Sequence, residues 1–522
     1  MRALARFLVL LAGIFFVSAA ALAHVERAKF TNVSGYLLIE VLNDGLVHFE
    51  AAAGHGPPQD QPLYTSPMVA KTDYDGPSGA TFSRRDTTIE TAAVRLRVDP
   101  ENLCVAAWDK ANGDAYLTTF CPVALGNLTS PKGLDIDPGG ITQVYGLGQQ
   151  FKRPGSADGD WTALGVREGA TIDSARLGNH LDGFEGGADG NVQIPVYYAL
   201  GEHGLNYAVL MDNVYWQRWD FTANWWQARM FGDQLRWYLF AGRNLPELRA
   251  AYMELTGRPP VPPRKAFGLW VSEFGYKNFD RIDMLKAGLR RDGFPVDGFV
   301  LDLNWFGGIT GGQNHRTYMG RLDWDEDQHR DDLDHNEYSF PNPGAKIREY
   351  ADDNIGLCVI EESYLAKGTD TFSQLPDTFS AYSRTNNICD PTHRDHFRDD
   401  IEGFWGEGRM IDWSDPAAGT WIHDNRRYPN LAKLGVTCHW TDLGEPESFK
   451  GDACYNGVET VARDGATEIK NQHSDIHNLY DLLWNRSIWE GYIAHRGTAN
   501  DLGITNSRPF VLSRSGAAGI QT

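Results

Sequence analysis

The chain has 522 residues, 42% of them hydrophobic and 22% charged, a globular composition that excludes a largely disordered protein and leaves room for two or three domains. Its net charge of −21 argues against nucleic acid and anionic membrane as partners, since both attract a basic surface. What remains is a soluble protein handling neutral ligands, and 16 Trp and 21 Tyr suit sugar rings, whose apolar faces aromatic side chains cover.

Residues 1–23 read as a signal peptide. Arg2 and Arg6 give the positive start, Phe7 to Val17 the apolar stretch, and Ala21-Leu22-Ala23 a small-x-small cleavage site before His24. The apolar run is short for a membrane span, so the expectation is export to the periplasm or the extracellular space, with no membrane contact after cleavage. Of the six Cys, Cys104 with Cys121 is the one pair considered as a disulfide. Cys358 and Cys438 sit in apolar strand-like runs and read as buried free thiols.

Residues 24–243 carry a β pattern. Leu37–Leu42 and Leu46–Phe49 flank Asn43-Asp44-Gly45, a hairpin signal, and Val94, Leu96 and Val98 alternate with polar residues. So many short strands predict an N-terminal β-sandwich. The stretch from Pro154 to Gly190, rich in Gly and Asp, reads as a long loop. Residues 244–263 form a linker: Asn244 caps a helix with apolar positions Leu245, Leu248, Tyr252 and Leu255, which Gly257 and Pro259-Pro260 stop.

From 264 to 522 the rhythm becomes strand–helix. Strands are predicted at Ala266–Val271, Val296–Leu303, Leu357–Ile360, Met410–Trp413, Val436–Asp442 and Pro509–Ser513. Helices follow a cap at Asp280, over Pro343–Asp353, after Asp415-Pro416, and over Asn478–Tyr492. Buried, non-alternating strands separated by helices imply a parallel sheet, and this length suits a (β/α)8 barrel of which five or six strands are present.

Reactive groups of such barrels lie at the C-terminal ends of strands. Those ends carry Asp302, Glu361-Glu362, Asp442 and Arg514, and no Ser-His-Asp order, phosphate loop or dinucleotide fingerprint stands out. Carboxylates with aromatic neighbours and no cofactor motif point to glycoside chemistry, where an Asp or Glu pair handles an oxocarbenium-like transition state. The acidic run Asp323–Asp334 lacks the glycine and spacing of a calcium loop and reads as a solvated loop; no metal and no cofactor are expected.

Several ordered motifs carry a resemblance. They are Tyr145-Gly-Leu-Gly148, Leu255-Thr-Gly-Arg-Pro-Pro260, Phe294-Pro-Val-Asp297 with Leu301-Asp302, and Leu322-Asp-Trp-Asp325 with Phe340-Pro-Asn-Pro343. Further on come His439-Trp-Thr-Asp-Leu-Gly-Glu-Pro446, His477-Asn-Leu-Tyr480 and Arg508-Pro-Phe-Val-Leu-Ser-Arg-Ser515. Together they resemble glycoside hydrolase family 31, the α-glucosidase-like retaining α-glycosidases.

The resemblance implies that Asp442 is the nucleophile, that Asp302 and Arg514 hold the sugar in the −1 subsite, and that Trp440 and Trp305 line the pocket. Glu445 would position the nucleophile's loop, while Glu361 and Glu362 carry less expectation of substrate contact. The implied activity is α-glucoside hydrolysis by double displacement. Transglucosylation, α-xylosidase, α-galactosidase or lyase chemistry, and sugar binding without catalysis, stay open as alternatives. Leu443-Gly444 stands where the family commonly has methionine-asparagine. The family's acid/base aspartate lies in a tryptophan-x-glycine-aspartate motif shortly after the segment Arg514–Thr522, and no such motif occurs in this sequence, so the barrel is expected to be incomplete at its C-terminal end.

Overall fold

The computed structural model describes residues 26–54, 65–83, 86–126, 132–148, 165–167, 192, 194–215, 217–221, 223–230, 234–310, 316–326, 329–330, 337–386, 388–390, 392, 407–446, 453–461 and 467–522. The signal-peptide reading of residues 1–23, most of the Pro154–Gly190 loop and part of the acidic run lie outside them.

The N-terminal half holds two eight-stranded sheets whose paired strands are antiparallel. The expected hairpin is there: Tyr36–Asn43 pairs with Leu46–Ala52 around Asp44-Gly45. The sheets share one apolar core, to which one contributes Leu37, Ile39, Val47, Phe49 and Trp237, and the other Leu96, Val105, Phe120, Leu134 and Ile136. Strict alternation on strands such as Val94–Asp99 puts one face in that core and the other towards water. The Tyr145–Gly148 motif crosses a crowded point, where a side chain on Gly148 would put its Cβ 2.0 Å from the Val192 carbonyl oxygen.

Helix α1 (Leu245–Thr256) joins the halves. Asn244 caps it by accepting from the Glu247 amide at 3.0 Å, and Leu248, Tyr252 and Leu255 are buried, whereas Leu245 is exposed.

The second half is built on five parallel strands in chain order: β1 (Leu269–Glu273), β2 (Val296–Leu301), β3 (Gly356–Glu361), β4 (Cys438–Thr441) and β5 (Phe510–Ser513). The outer edges of β1 and β5 have no partner strand among the described residues. Helices α2 (Phe279–Arg291), α3 (Pro343–Asp352), α4 (Pro416–Ile422) and α5 (Tyr480–Ala494) cover the outer face. Three expectations need correction here. Asn278, extended and one residue before the first helical turn, caps α2 in place of Asp280. The segment at 410 forms no barrel strand, because Gly408–Met410 pairs antiparallel with Tyr364–Ala366. Cys358 and Cys438 are not free thiols: they face each other in register on β3 and β4 with Cα atoms 4.3 Å apart and are joined. Cys104–Cys121 and Cys389–Cys454 are bridged as well.

Candidate active site

Strand phase assembles the site. Val300, Cys358, Cys438 and Phe510 stand at one register level and pack together with Trp270 and Trp440, which marks them as the concave face of the sheet. Side chains alternate along a strand, so Leu301, Glu361, Thr441 and Ser513 point to the helices. The next residue on each strand returns to the concave side. Those four residues are Asp302, Glu362, Asp442 and Arg514, each the first past its strand's C-terminal end.

Asp302 turns its strand into a short 3-10 turn, Leu303–Phe306, by accepting from the Leu303 amide at 2.7 Å. Burial pushes its carboxyl up to about 6, with the Leu303 amide opposing and the Asp442 charge adding to the rise. Asp442 follows β4, and its successor Leu443 takes a left-handed φ of 57° that swings the chain away at once. Burial raises the Asp442 carboxyl, and Arg514 opposes that rise. The Arg514 guanidinium lies 3.2 Å from Asp442 Oδ1 and grips Glu445 through Nε–Oε1 at 2.7 Å and Nη2–Oε2 at 3.2 Å. Glu445 is fully buried, so the fork fixes Arg514 and through it the Asp442 loop.

The two adjacent glutamates separate by phase. Glu361 points outward, where burial works against its charge but Arg427 and His439 hold it down at about 2. Arg427 Nε donates to it at 2.7 Å, and His439 Nδ1 lies 2.6 Å from its other oxygen. Glu361 thus anchors Arg427 and His439 on the helix side of the sheet. Glu362 points inward, is 1% exposed, and is raised well above the usual carboxylate range by burial and by the charges of Asp442 and Asp302.

Trp440 is half-buried on the concave face. Trp305, expected to line the pocket, is fully buried: its indole donates to the Ile360 carbonyl at 3.0 Å and its ring packs on Trp324 and Phe306. Asp481 on α5 was missed by sequence reasoning, which gave it no motif. It is fully buried, pushed up to about 8 by burial, and bonded to Ser513 and to Asn485 at 2.9 Å. It lies beneath Gly444, where a Cβ would stand 2.4 Å from Asp481 Oδ1.

Among the described residues no group of three or more His, Cys, Asp and Glu is arranged to hold a metal, and no helix is long and apolar enough to cross a membrane. What the arrangement offers is a half-buried carboxylate at a strand end, steadied by a guanidinium, with further carboxyls around it.

Comparison with known proteins adds to this. Residues 259–522 match the description "Glycosyl hydrolases family 31 TIM-barrel domain". The chain is 24% identical over 392 residues to an α-xylosidase (XylQ) of Lactiplantibacillus pentosus, covering 72% of this chain and 42% of the relative. It is 21% identical over 334 residues to α-glucosidase 2 of Bacillus thermoamyloliquefaciens, covering 62% and 36%. It thus spans about two fifths of the length of these curated relatives. Among solved structures, a Flavobacterium johnsoniae family 31 dextranase complexed with glucose aligns with a TM-score of 0.71 at 18% identity, over 95% of this chain and 54% of that one. A soil-metagenome α-xylosidase complexed with xylose aligns at 0.68 and 16%, over 95% and 65%. At such identities the structural likeness speaks for the fold.

Proposed function

The chain belongs to glycoside hydrolase family 31, and from that premise we propose that its strand ends form the −1 pocket of a retaining α-glycosidase acting on neutral α-glucosides. Asp442 is the nucleophile, Asp302 holds sugar hydroxyls, and Arg514 steadies Asp442 and reaches the same sugar. The observation that carries this reading is the placement of Asp442: first residue past β4, on the concave face, 3.2 Å from a guanidinium that Glu445 locks in place. That guanidinium favours the deprotonated carboxylate that attack requires. The carboxylates of Asp302, Asp442 and Glu445 act on one site against a single Arg514, an excess of negative charge that suits a neutral sugar and disfavours an anionic one.

In the proposed reaction the Asp442 oxygen bonds to the anomeric carbon as the leaving group departs with its electron pair, giving a β-linked glycosyl-enzyme. Water then releases the sugar with its α configuration retained, or a sugar acceptor takes it in transglycosylation. The two N-terminal sheets are read as the expected β-sandwich. Three disulfides favour an oxidising compartment, in line with export through residues 1–23.

Glycosyl fluorides test the nucleophile alone, because fluoride leaves without a proton donor. α-Glucosyl fluoride mixed with the chain should release one equivalent of fluoride in a burst, and Asp442→Asn should release none. α-Xylosyl fluoride run beside it reads out the sugar preference. Equal release from the Asn variant would refute the assignment.

A further inference from the structure

We propose that Glu362 is a further substrate-positioning residue, whose carboxyl hydrogen-bonds a hydroxyl of the sugar in the pocket of Asp302 and Asp442. The inference rests on the functional reading above and deepens it. Three observations support it. Register pairs Glu361 with Thr441, so Glu362 and Asp442 leave neighbouring strands at the same level and on the same face. The side chain is 1% exposed, and both carboxyl oxygens have no hydrogen-bond partner among the described residues. A buried carboxyl in that condition is costly, which makes it a poor structural device and a natural one for gripping a ligand. Its neighbour Glu361 shows the contrast, since Arg427 and His439 satisfy it fully on the outer face.

The charged groups acting on Glu362 are Asp442, Asp302 and Glu445, which disfavour its ionisation, and Arg514, which favours it. Burial and the three carboxylates prevail, which favours the protonated form, the one able to donate a hydrogen bond to a sugar oxygen. It complements Asp302 and Asp442, which as carboxylates only accept.

The experiment measures binding of methyl α-glucoside by calorimetry, together with thermal melting, for the 522-residue chain and the variants Glu362→Gln and Glu362→Leu. The original protein should bind more weakly as pH rises and the acid ionises. Glu362→Gln keeps a donor that does not titrate, so it should bind comparably at neutral pH and lose that alkaline fall. Glu362→Leu should bind roughly ten- to a hundredfold more weakly, the effect of leaving a sugar hydroxyl unpaired. Its melting temperature should hold or rise, because an unpaired buried acid has been replaced by an apolar group. A residue serving only the fold would instead lower melting and leave the pH profile of binding unmoved. Unchanged affinity in Glu362→Leu, or an alkaline fall persisting in Glu362→Gln, overturns the proposal while the functional reading stands. Failure of the original protein to bind the glucoside overturns both.

Discussion

Replacing Gly444 by alanine tests the geometry beneath the nucleophile. The added Cβ would stand 2.4 Å from Asp481 Oδ1, 2.8 Å from its Cγ and 2.9 Å from its Cβ, where ordinary contact begins near 3.4 Å. About 1 Å must therefore be found, and neither side gives easily. Asp481, itself fully buried, is held by Ser513 and Asn485, and the loop carrying Gly444 is pinned by the Arg514–Glu445 fork. Overpacking of this kind costs about 1–3 kcal/mol, so a loss of about 2 kcal/mol and a melting point roughly 4–8 °C lower are expected. The displacement should also move Asp442 and slow fluoride release from α-glucosyl fluoride by more than the stability loss explains. Asp481→Ala in the same chain removes the two closest contacts and leaves only the one to the Asp481 Cβ at 2.9 Å, so the double variant should be more stable than the sum of the single losses predicts. Calorimetry on the four proteins, with fluoride release alongside, reads both effects. A Gly444→Ala protein that melts and reacts like the original refutes the packing described here. The same contact gives a physical reason for a glycine at 444: a larger side chain needs the space that Asp481 fills.

Two further outcomes follow from buried chemistry. Arg427→Met leaves Glu361 without its main cation in a fully buried site and should cost about 3–5 kcal/mol. Glu361 is held near 2, below its ordinary 4.5, so its stabilisation is complete above about 4.5 and lost as pH falls towards 2; acid melting curves should flatten over that range in the variant. The Cys389–Cys454 bridge closes a separation of 65 residues, and replacing both by Ser should cost about 4 kcal/mol on the chain-entropy estimate, seen as a lower midpoint in denaturant titration.

How much of this was legible beforehand depended on how local the signal was. Asn244, Asp415 and the Asn43–Gly45 turn announce themselves because capping and turn chemistry act within four residues. Asp302, Asp442 and Arg514 stood out as candidates because their motifs end apolar runs, which is what a parallel strand's C-terminal end looks like. The Cys358–Cys438 bridge was missed because it depends on the relative register of two strands 80 residues apart, which neither strand encodes alone. Phase explains the two glutamates. Both sit at one strand end, and only the alternation running up from Cys358 tells which meets the pocket and which meets Arg427. Asp481 had no signal at all, since a carboxylate one residue into a helix reads as a favourable first-turn charge until the neighbouring strand is placed beside it.

The central claim is that Asp442 is the carboxylate that bonds to sugar, and covalent labelling tests it most directly. The chain should be treated with 5-fluoro-α-glucosyl fluoride, digested, and its peptides weighed and fragmented. The account predicts one added fluoroglucosyl group, on the peptide spanning Leu434 to Lys450 and at Asp442 within it, absent from Asp442→Asn and still at Asp442 in Asp302→Asn. A label on Asp302, Glu362 or Glu445, or labelling that persists in Asp442→Asn, contradicts it.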